Sequence, residues 1–332
     1  MGYLIFTELL SSTGLGHFTR CSSLYDALVL EDKNPVFVLN HDGTAEDFLS
    51  GYRINKSRWI SLNVLESFLK ETRPIVSFVD SYLASEDAYS LIAKYSKNIV
   101  CLDDTIRITY PKNSIIFNPS LSGKFLPYPQ TYKVFAGGEY ALLRKPFRRN
   151  IEIRIPSEKI ESILLSTGGS DSENLTPVLI REIRKVYPFQ KLYVIIGPSF
   201  HNLKEIEKEA DVNVELVLQP NADKMFEVMS KIDLAITAAG QTTYELARLG
   251  VPMISFMTDD NQQSNIEGWL GIKAILHTGN YLKKEWHDLL NFNLKLVSDF
   301  ETRRKLAEVC RRSIDGQGNQ RFIKSLLGLI GN

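Results

Sequence analysis

Leu234-Ala-Ile-Thr-Ala-Ala-Gly-Gln-Thr-Thr-Tyr-Glu-Leu-Ala-Arg-Leu-Gly-Val-Pro252 packs a strand, a tight turn and the start of a helix into nineteen residues. Leu234 to Thr237 is a short apolar run that ends in Ala238, Ala239 and Gly240, residues small enough to let a ligand approach the backbone. Thr242 and Thr243 then open a helix whose apolar side carries Tyr244, Leu246 and Leu249. Backbone amides at such a turn, with the helix dipole behind them, favour an anion such as phosphate. Glu245, one turn inside, is placed to accept from sugar hydroxyls, and Gly250-Val251-Pro252 stops the helix and begins the next strand. Any parallel α/β protein contains strand-glycine-helix turns, and most of them bind nothing. The polar run Asp259-Asp260-Asn261-Gln262-Gln263, directly after the strand Met253 to Met257, adds weight by bringing a second polar strand end to the same rim.

The run from Thr237 to Gln262, TAAGQTTYELARLGVPMISFMTDDNQ, resembles the donor-binding segment of nucleotide-sugar enzymes of the GT-B type. That group includes the UDP-GlcNAc transferase of peptidoglycan synthesis. More closely, the run is similar to that of the UDP-sugar hydrolases of the pseudaminic acid pathway, which cleave UDP-2,4-diacetamido-2,4,6-trideoxy-β-L-altropyranose to free sugar and UDP.

Composition sets outer limits. A chain of 332 residues suffices for two domains, each with its own core. Lys plus Arg balances Asp plus Glu at 39 each, so no bulk field selects nucleic acid or an anionic membrane surface. An anion must then be held by a local site. Cys21, Cys101 and Cys310 are odd in number and widely spaced, which argues against a disulfide framework and makes a reducing, cytoplasmic setting the expectation. The first residues have no basic region before their short apolar run, so they read as a strand and not a secretion signal. Phe6 stands where a myristoylation motif wants Ser or Thr. No apolar run approaches the ~20 residues that span a bilayer, and no integral membrane contact is expected.

In chain order, Leu4 to Phe6 reads as a brief strand, and Ser11 to Arg20 follows as a glycine-bearing loop. Phe18, Leu24, Ala27 and Leu28 then repeat at helical spacing. His17 sits at the mouth of that helix. A lone histidine is more often a surface or core-edge residue, but the C-terminal rim of a first parallel strand is where such sheets keep their chemistry. Gly14-x-Gly16-His17-x-x-Arg20 matches the first motif of the hydrolases. The resemblance implies His17 as the base and Gly14, Gly16 and Arg20 as substrate contacts; in related transferases the histidine position faces the acceptor.

Pro35 to Asn40, Pro74 to Val79, Asn98 to Leu102 and Ser114 to Phe117 are further strands, and Asn63 to Lys70 reads as helix. Gly51 to Asn63 is polar and uninformative. Asp80-Ser81-Tyr82 and Asn118 lie at strand ends. The resemblance implies Tyr82 at the sugar; Ser81 departs from the family's Asp-His-Tyr or Asp-Asp-Tyr, and Phe6-Thr7-Glu8 departs from its Arg-x-Asp. Neighbouring carboxylates on an extended chain point opposite ways, so Asp103-Asp104 reads as a fixed turn with one solvated carboxylate and not as an acid-base pair or metal site. Tyr140-Ala-Leu-Leu-Arg144 repeats a family run that implies Arg144 as a substrate contact, with an interdomain hinge as the alternative. The charged stretch Arg144 to Asn150, broken by Pro146, marks the boundary between domains expected at 1–148 and 149–332. Its basic residues read as a solvated linker, not a nucleic-acid patch.

Ser162 to Ser166 is a strand entering Thr167-Gly168-Gly169-Ser170-Asp171, a loop suited to phosphate but without the lysine and spacing of a P-loop or the full dinucleotide fingerprint. Leu192 to Ile196, Val214 to Leu218, Leu234 to Thr237, Met253 to Met257 and Ala274 to Leu276 continue as strands, with helices between most, the pattern of a second doubly wound sheet. Gln219-Pro220-Asn221 lies at a strand end, with main-chain groups for a base. Trp286, Leu289, Leu290, Leu294, Leu296 and Val297 read as core of a C-terminal helical segment. Phe322, Leu326, Leu327 and Ile330 form a last amphipathic helix, a candidate to cross back to the first domain.

The expected architecture is therefore α/β and GT-B-like: two Rossmann-like, doubly wound domains facing across a cleft. One wall carries His17, Tyr82 and Asn118; the other holds nucleotide through Gly168, Gly169, Gln219, Gly240, Gln241, Thr242, Glu245, Asn261 and Gln262. The implied reaction is inverting hydrolysis of a UDP-sugar at the anomeric carbon. UDP is a good leaving group, so the protein need only stabilise charge on the diphosphate while His17, expected neutral near pH 7, takes a proton from water. No metal-ligand spacing is present, and neither metal nor cofactor is expected. A transferase with a saccharide or lipid acceptor, and a nucleotide-binding protein without turnover, stay open as alternatives.

Overall fold

The short apolar runs become strands, all paired in parallel, in a computed structural model that describes residues 2–152 and 156–331. The first sheet holds β1 (Tyr3–Leu9), β2 (Pro35–His41), β3 (Ile54–Lys56), β4 (Val76–Asp80), β5 (Asn98–Leu102), β6 (Ile115–Asn118) and β7 (Lys133–Ala136). Its helices are α1 (Gly16–Leu30), α2 (Leu62–Thr72) and α3 (Glu86–Tyr95). The second sheet holds β8 (Ser162–Ser166), β9 (Lys191–Ile196), β10 (Val214–Leu218), β11 (Leu234–Ala238), β12 (Met253–Met257) and β13 (Leu276–Asn280). Between and after these run α4 (Leu175–Val186), α5 (Leu203–Glu209), α6 (Ala222–Met229), α7 (Thr242–Leu249), α8 (Gln263–Gly271), α9 (Trp286–Leu296) and α10 (Phe300–Ser313). The last helix is α11 (Gly318–Ile330). The chain divides into Met1–Arg144 with Gln317–Asn332, and Lys145–Gly316.

The first sheet runs β3-β2-β1-β4-β5-β6-β7 and the second β10-β9-β8-β11-β12-β13. Each winds outward from its first strand in both directions, so the order reverses between β1 and β4 and again between β8 and β11. The loops leaving those strands lie at the carboxyl ends of each sheet's reversal point, which is where open α/β sheets bind ligands.

Both faces of the first sheet are covered, and this is why its strands read as nearly continuous apolar runs. Ile5, Phe37, Phe78 and Phe117 pack beneath Phe18, Leu24 and Leu28 of α1 and Phe322 and Leu326 of α11. Leu4, Phe6, Val38 and Val79 face Trp59, Leu65, Leu69 and Tyr89 on the other side. α11 is fastened by Phe322, stacked on Phe117 with ring centroids 3.6 Å apart. Asn319 adds three bonds, accepting from Leu143 N and donating to the carbonyls of Leu143 and Ser23.

Several local expectations change. β1 extends to Leu9, past the brief strand expected, because its exit is zipped to β2 and β4. The polar stretch before α2 hides Trp59, fully buried, whose Nε1 donates to the Thr7 carbonyl at 3.0 Å. β13 begins at Leu276 and not at Ala274; Ala274 and Ile275 are buried ahead of it. On α9, Trp286, Leu290 and Leu294 turn inward at helical spacing, and this rotation leaves Leu289 39% exposed, outside the core expected for it.

Candidate functional site

The reversal point of the first sheet places Thr7 of β1 level with Asp80 of β4. Alternation along β4 turns Val76, Phe78 and Asp80 toward α1. That helix answers with His17, Arg20 and Cys21, spaced i, i+3 and i+4 and hence on one face. His17 Nδ1 lies 2.8 Å from Asp80 Oδ1. Arg20 donates from Nε to Asp80 Oδ2 at 2.8 Å and from Nη2 to Oδ1 at 2.5 Å, and Cys21 Sγ is 3.6 Å from Oδ2. Arg20 Nη1 meets both oxygens of Asp104, at 2.7 and 2.9 Å. The Tyr82 hydroxyl donates to Asp104 Oδ2 at 2.9 Å, while its ring stands edge-on to His17 at 4.4 Å. His17 Nε2 has no hydrogen-bond partner among the described residues.

Charge decides the protonation states. Burial by itself raises the Asp80 carboxyl, but the Arg20 guanidinium and His17 overturn it and hold the group below the usual carboxylate range. Burial likewise lowers the proton affinity of His17; the charge and hydrogen bond of Asp80, helped by Glu8, outweigh burial and Arg20, and the net shift is upward. The imidazole expected to be neutral near pH 7 therefore keeps its proton to higher pH than free histidine. An ionised Asp80 accepts from Nδ1–H and leaves Nε2 as the atom that exchanges a proton.

The acidic pair after β5 does point two ways, but neither carboxylate is merely solvated. Asp103 accepts from Ile106 N, Arg107 N, Tyr110 Oη and Tyr128 Oη and fixes the turn. Asp104 belongs to the Arg20 cluster. Asn118 is fully buried and spends its amide on Tyr128, Ser120 N and Ser120 Oγ. Gly14 takes a left-handed φ of 67°, which favours glycine, and its amide donates to Leu10 at 2.9 Å. Gly16 has no such requirement; among the described residues no atom lies within 4 Å of a Cβ placed there, so the space is open. Arg144 is half-buried at the end of the first unit. The two departures from the hydrolase pattern meet: Glu8 Oε1 accepts from Tyr82 N at 3.0 Å, and Ser81 Oγ, beside Glu8, accepts from Leu83 N and Ala84 N.

In the second unit, β8 and β11 deliver the Gly168-Gly169 loop and the Gly240 turn to their own reversal point. Gly168 has φ 105°, and a Cβ on Gly197 would come 2.3 Å from the Gly169 carbonyl, so that loop is built on backbone contact. Its helix end is already occupied: Asp171 accepts from Leu175 N at 2.9 Å and Thr176 N at 3.0 Å. At α7, by contrast, the side chain of the N-cap residue Gln241 makes no capping bond. Thr242 begins the helix, and α8 fastens the turn from behind. Thr243 Oγ1 donates to Gly240 O at 2.7 Å and accepts from Trp269 Nε1 at 2.9 Å, and Asn265 Nδ2 donates to Ala239 O at 2.8 Å. Gly240 has no described atom within 4 Å of a built Cβ.

Glu245 lies one turn into α7 and is 1% exposed. Gln219 is exposed, with a left-handed φ of 41° and its amide on Ile196 O at 2.8 Å, while Asn221 caps α6 through Lys224 N. Asn261 is exposed; Gln262 folds back so that its amide accepts from Thr258 N and donates to Thr258 Oγ1. Asp80 stood in the match to the family's Asp-x-Tyr and Asp104 in the acidic pair after β5, neither with the role it takes here. Asn265 and Trp269 were not singled out, and their only sequence signal is position, on the helix after the polar run. Among the described residues no three His, Cys, Asp or Glu side chains gather as a metal site, and no helix is long and apolar enough to cross a membrane.

Two parallel-sheet α/β units of this winding define a GT-B-type fold. Residues 163–267, which span β8 through most of α8, match the glycosyltransferase family 28 C-terminal domain. An uncharacterized protein of Methanocaldococcus jannaschii is 24% identical over 284 residues, 81% of this chain and 58% of that protein. The pseudaminic acid cytidylyltransferase and UDP-2,4-diacetamido-2,4,6-trideoxy-beta-L-altropyranose hydrolase of Helicobacter pylori is 23% identical over 263 residues, 78% of this chain and 44% of that protein. The chain thus spans about half the length of these curated relatives. The crystal structure of Acinetobacter baumannii MurG matches with a TM-score of 0.68 at 14% identity, covering 99% of this chain and 100% of that one.

Proposed function

We propose that this protein hydrolyses a UDP-sugar at the anomeric carbon, releasing UDP and the free sugar with inversion. The observation that carries the reading is the His17–Asp80 pair, 2.8 Å apart at the reversal point of the first sheet, with Nε2 left to accept a proton. Asp80 orients the ring and stabilises the imidazolium that forms, the role a buried carboxylate plays beside any histidine base. Water attacks the anomeric carbon on the face opposite UDP. Its proton passes to Nε2, its oxygen bonds to carbon, and the bond to UDP breaks with the electron pair leaving on the diphosphate.

That developing charge falls to the Gly240–Thr242 turn and the amide end of α7, with Gly168 and Gly169 on the neighbouring loop. Ribose hydroxyls are the partners assigned to Glu245, and Gln219, Asn261 and Gln262 complete the nucleotide contacts. Tyr82, Gly14 and Gly16 border the sugar. Similarity over 78% of the chain to the Helicobacter pylori protein whose name joins a cytidylyltransferase and a UDP-sugar hydrolase supports this assignment.

The second reading, a GT-B transferase, is favoured by the match of residues 163–267 to the family 28 domain. Nε2 then takes the proton of an acceptor hydroxyl instead of water. Incubation with a panel of UDP-sugars in ¹⁸O-labelled water tests both. Hydrolysis puts label in the sugar and none in UDP; label in the UDP phosphate refutes attack at carbon. UDP release that stays at trace level until a saccharide or lipid acceptor is added gives the transferase.

A further inference from the structure

Arg20 is matched to the motif as a substrate contact, yet its side chain is only 12% exposed and its hydrogens are turned inward. A guanidinium has five N–H donors. Here Nε and Nη2 close on Asp80 and Nη1 meets both oxygens of Asp104, so all three guanidinium nitrogens are directed at the protein's own carboxylates. The planar fork thereby spans the ends of two neighbouring strands, β4 and β5. Asp80 holds His17 and Asp104 holds the Tyr82 hydroxyl, and the Tyr82 ring returns to His17 edge-on, closing a ring of five side chains.

We propose that Arg20 is a positioning residue that locks the His17 imidazole and the Tyr82 ring into one unit at the first-unit rim, and does not itself bind substrate. The inference rests on His17 acting as the base. A lysine cannot replace this arrangement, because a point charge with three rotatable donors does not bridge two carboxylates in one plane.

The groups facing His17 fix the sign of the electrical effect. Asp80 comes from β4, Glu8 from β1, Arg20 and Cys21 from α1 itself, Tyr82 from the loop after β4, and Asp104 from the exit of β5. Asp80 and Glu8 favour the imidazolium and Arg20 opposes it. Removing the guanidinium charge therefore raises the proton affinity of His17, whereas keeping the charge without the fork leaves it nearly unchanged.

The test compares Arg20→Gln and Arg20→Lys by ¹⁵N-histidine NMR titration of the full chain without substrate, and by kcat, KM and pH profile on whichever UDP-sugar the panel identifies. Arg20→Gln is expected to move the His17 titration and the acid limb of kcat to higher pH, and to lower kcat at pH 7 by about 10²-fold with KM within about threefold of wild type. Arg20→Lys is expected to leave the titration in place while kcat falls about tenfold through lost positioning. A KM raised tenfold or more with kcat and the acid limb unchanged makes Arg20 a substrate contact and overturns the proposal. So does a His17 titration in Arg20→Gln equal to that of wild type. If Arg20→Gln does not fold, Tyr82→Phe, which keeps the ring and removes its bond to Asp104, must lower kcat without raising KM; wild-type kcat in that variant refutes the coupling. The NMR reading needs no turnover, so failure of the hydrolase assignment is told apart from failure of this one.

Discussion

Replacing Asp80 with Asn keeps the shape of the side chain and removes its charge, at an atom 2.8 Å from His17 Nδ1. The imidazole then loses its main source of raised proton affinity and keeps burial and Arg20, both of which lower it, against the smaller upward pull of Glu8. The His17 titration should fall below the ~6.5 of a free histidine, and the acid limb of kcat should move down with it. The rate should nevertheless drop, because an amide can present its NH2 to Nδ1 and put the ring proton on Nε2. A general base is worth ~10²–10⁴-fold, and an orienting carboxylate exchanged for an amide costs up to ~10⁴-fold in a serine-protease triad, so a loss of ~10²–10⁴ in kcat is expected.

Stability changes by a separate route with its own pH window. The folded pKa of Asp80 is depressed, so its contribution is present above the unfolded value of ~3.9 and is lost as pH falls. The folded pKa of His17 is raised, so its contribution is full below the unfolded value of ~6.5 and is lost as pH rises through the folded one. The advantage of wild type over Asp80→Asn in urea unfolding should therefore be widest between about pH 4 and 6.5. Its size should be ~1–3 kcal/mol, less than for a buried ion pair broken outright, because the amide still accepts hydrogen bonds. UDP release measured from pH 5 to 9 checks the first effect. A variant within threefold of wild type, with an unmoved acid limb, removes the His17–Asp80 pair from the mechanism.

Gly240→Ala should leave unfolding free energy within about 0.5 kcal/mol, since a Cβ there meets no described atom, but should cost tenfold or more in calorimetric affinity for UDP. Unchanged affinity would mean that the diphosphate does not lie against this turn. Trp269→Phe removes the donor that holds Thr243 Oγ1 at 2.9 Å, and a loss of about 1 kcal/mol in stability with weaker UDP binding is expected; tight binding by this variant would show that α8 does not support the site. Asn319→Ala leaves the amide and carbonyl of Leu143 and the carbonyl of Ser23 without their partner in a fully buried position. A loss of ~3 kcal/mol in urea unfolding is expected, and a change under 1 kcal/mol would mean that α11 is held by Phe322 and its apolar neighbours alone.

Strand and helix order was legible because each element carries its own period. β5, β8 and β12 coincide with the short apolar runs, since a parallel strand buried on both faces must be apolar along its length; β10 coincides as well, although it is an edge strand and stays partly exposed. His17 was likewise legible at the mouth of the first helix, because Phe18, Leu24, Ala27 and Leu28 repeat at helical spacing just after it. β13 was misplaced for the converse reason: Ala274 and Ile275 are as buried as strand residues, and burial is what an apolar run reports. Trp59 was hidden in a polar stretch because its one polar atom is satisfied by a carbonyl far along the chain. The protonation of His17, the bridging of Asp80 to Asp104 by Arg20 and the meeting of Glu8 with the Tyr82 backbone were beyond reach of the sequence. Each joins residues about 60 or more positions apart, brought together only because β1, β4 and β5 lie side by side. Local chemistry sets the period of an element, but a proton's affinity and a guanidinium's partners depend on what the finished sheet brings within three ångströms.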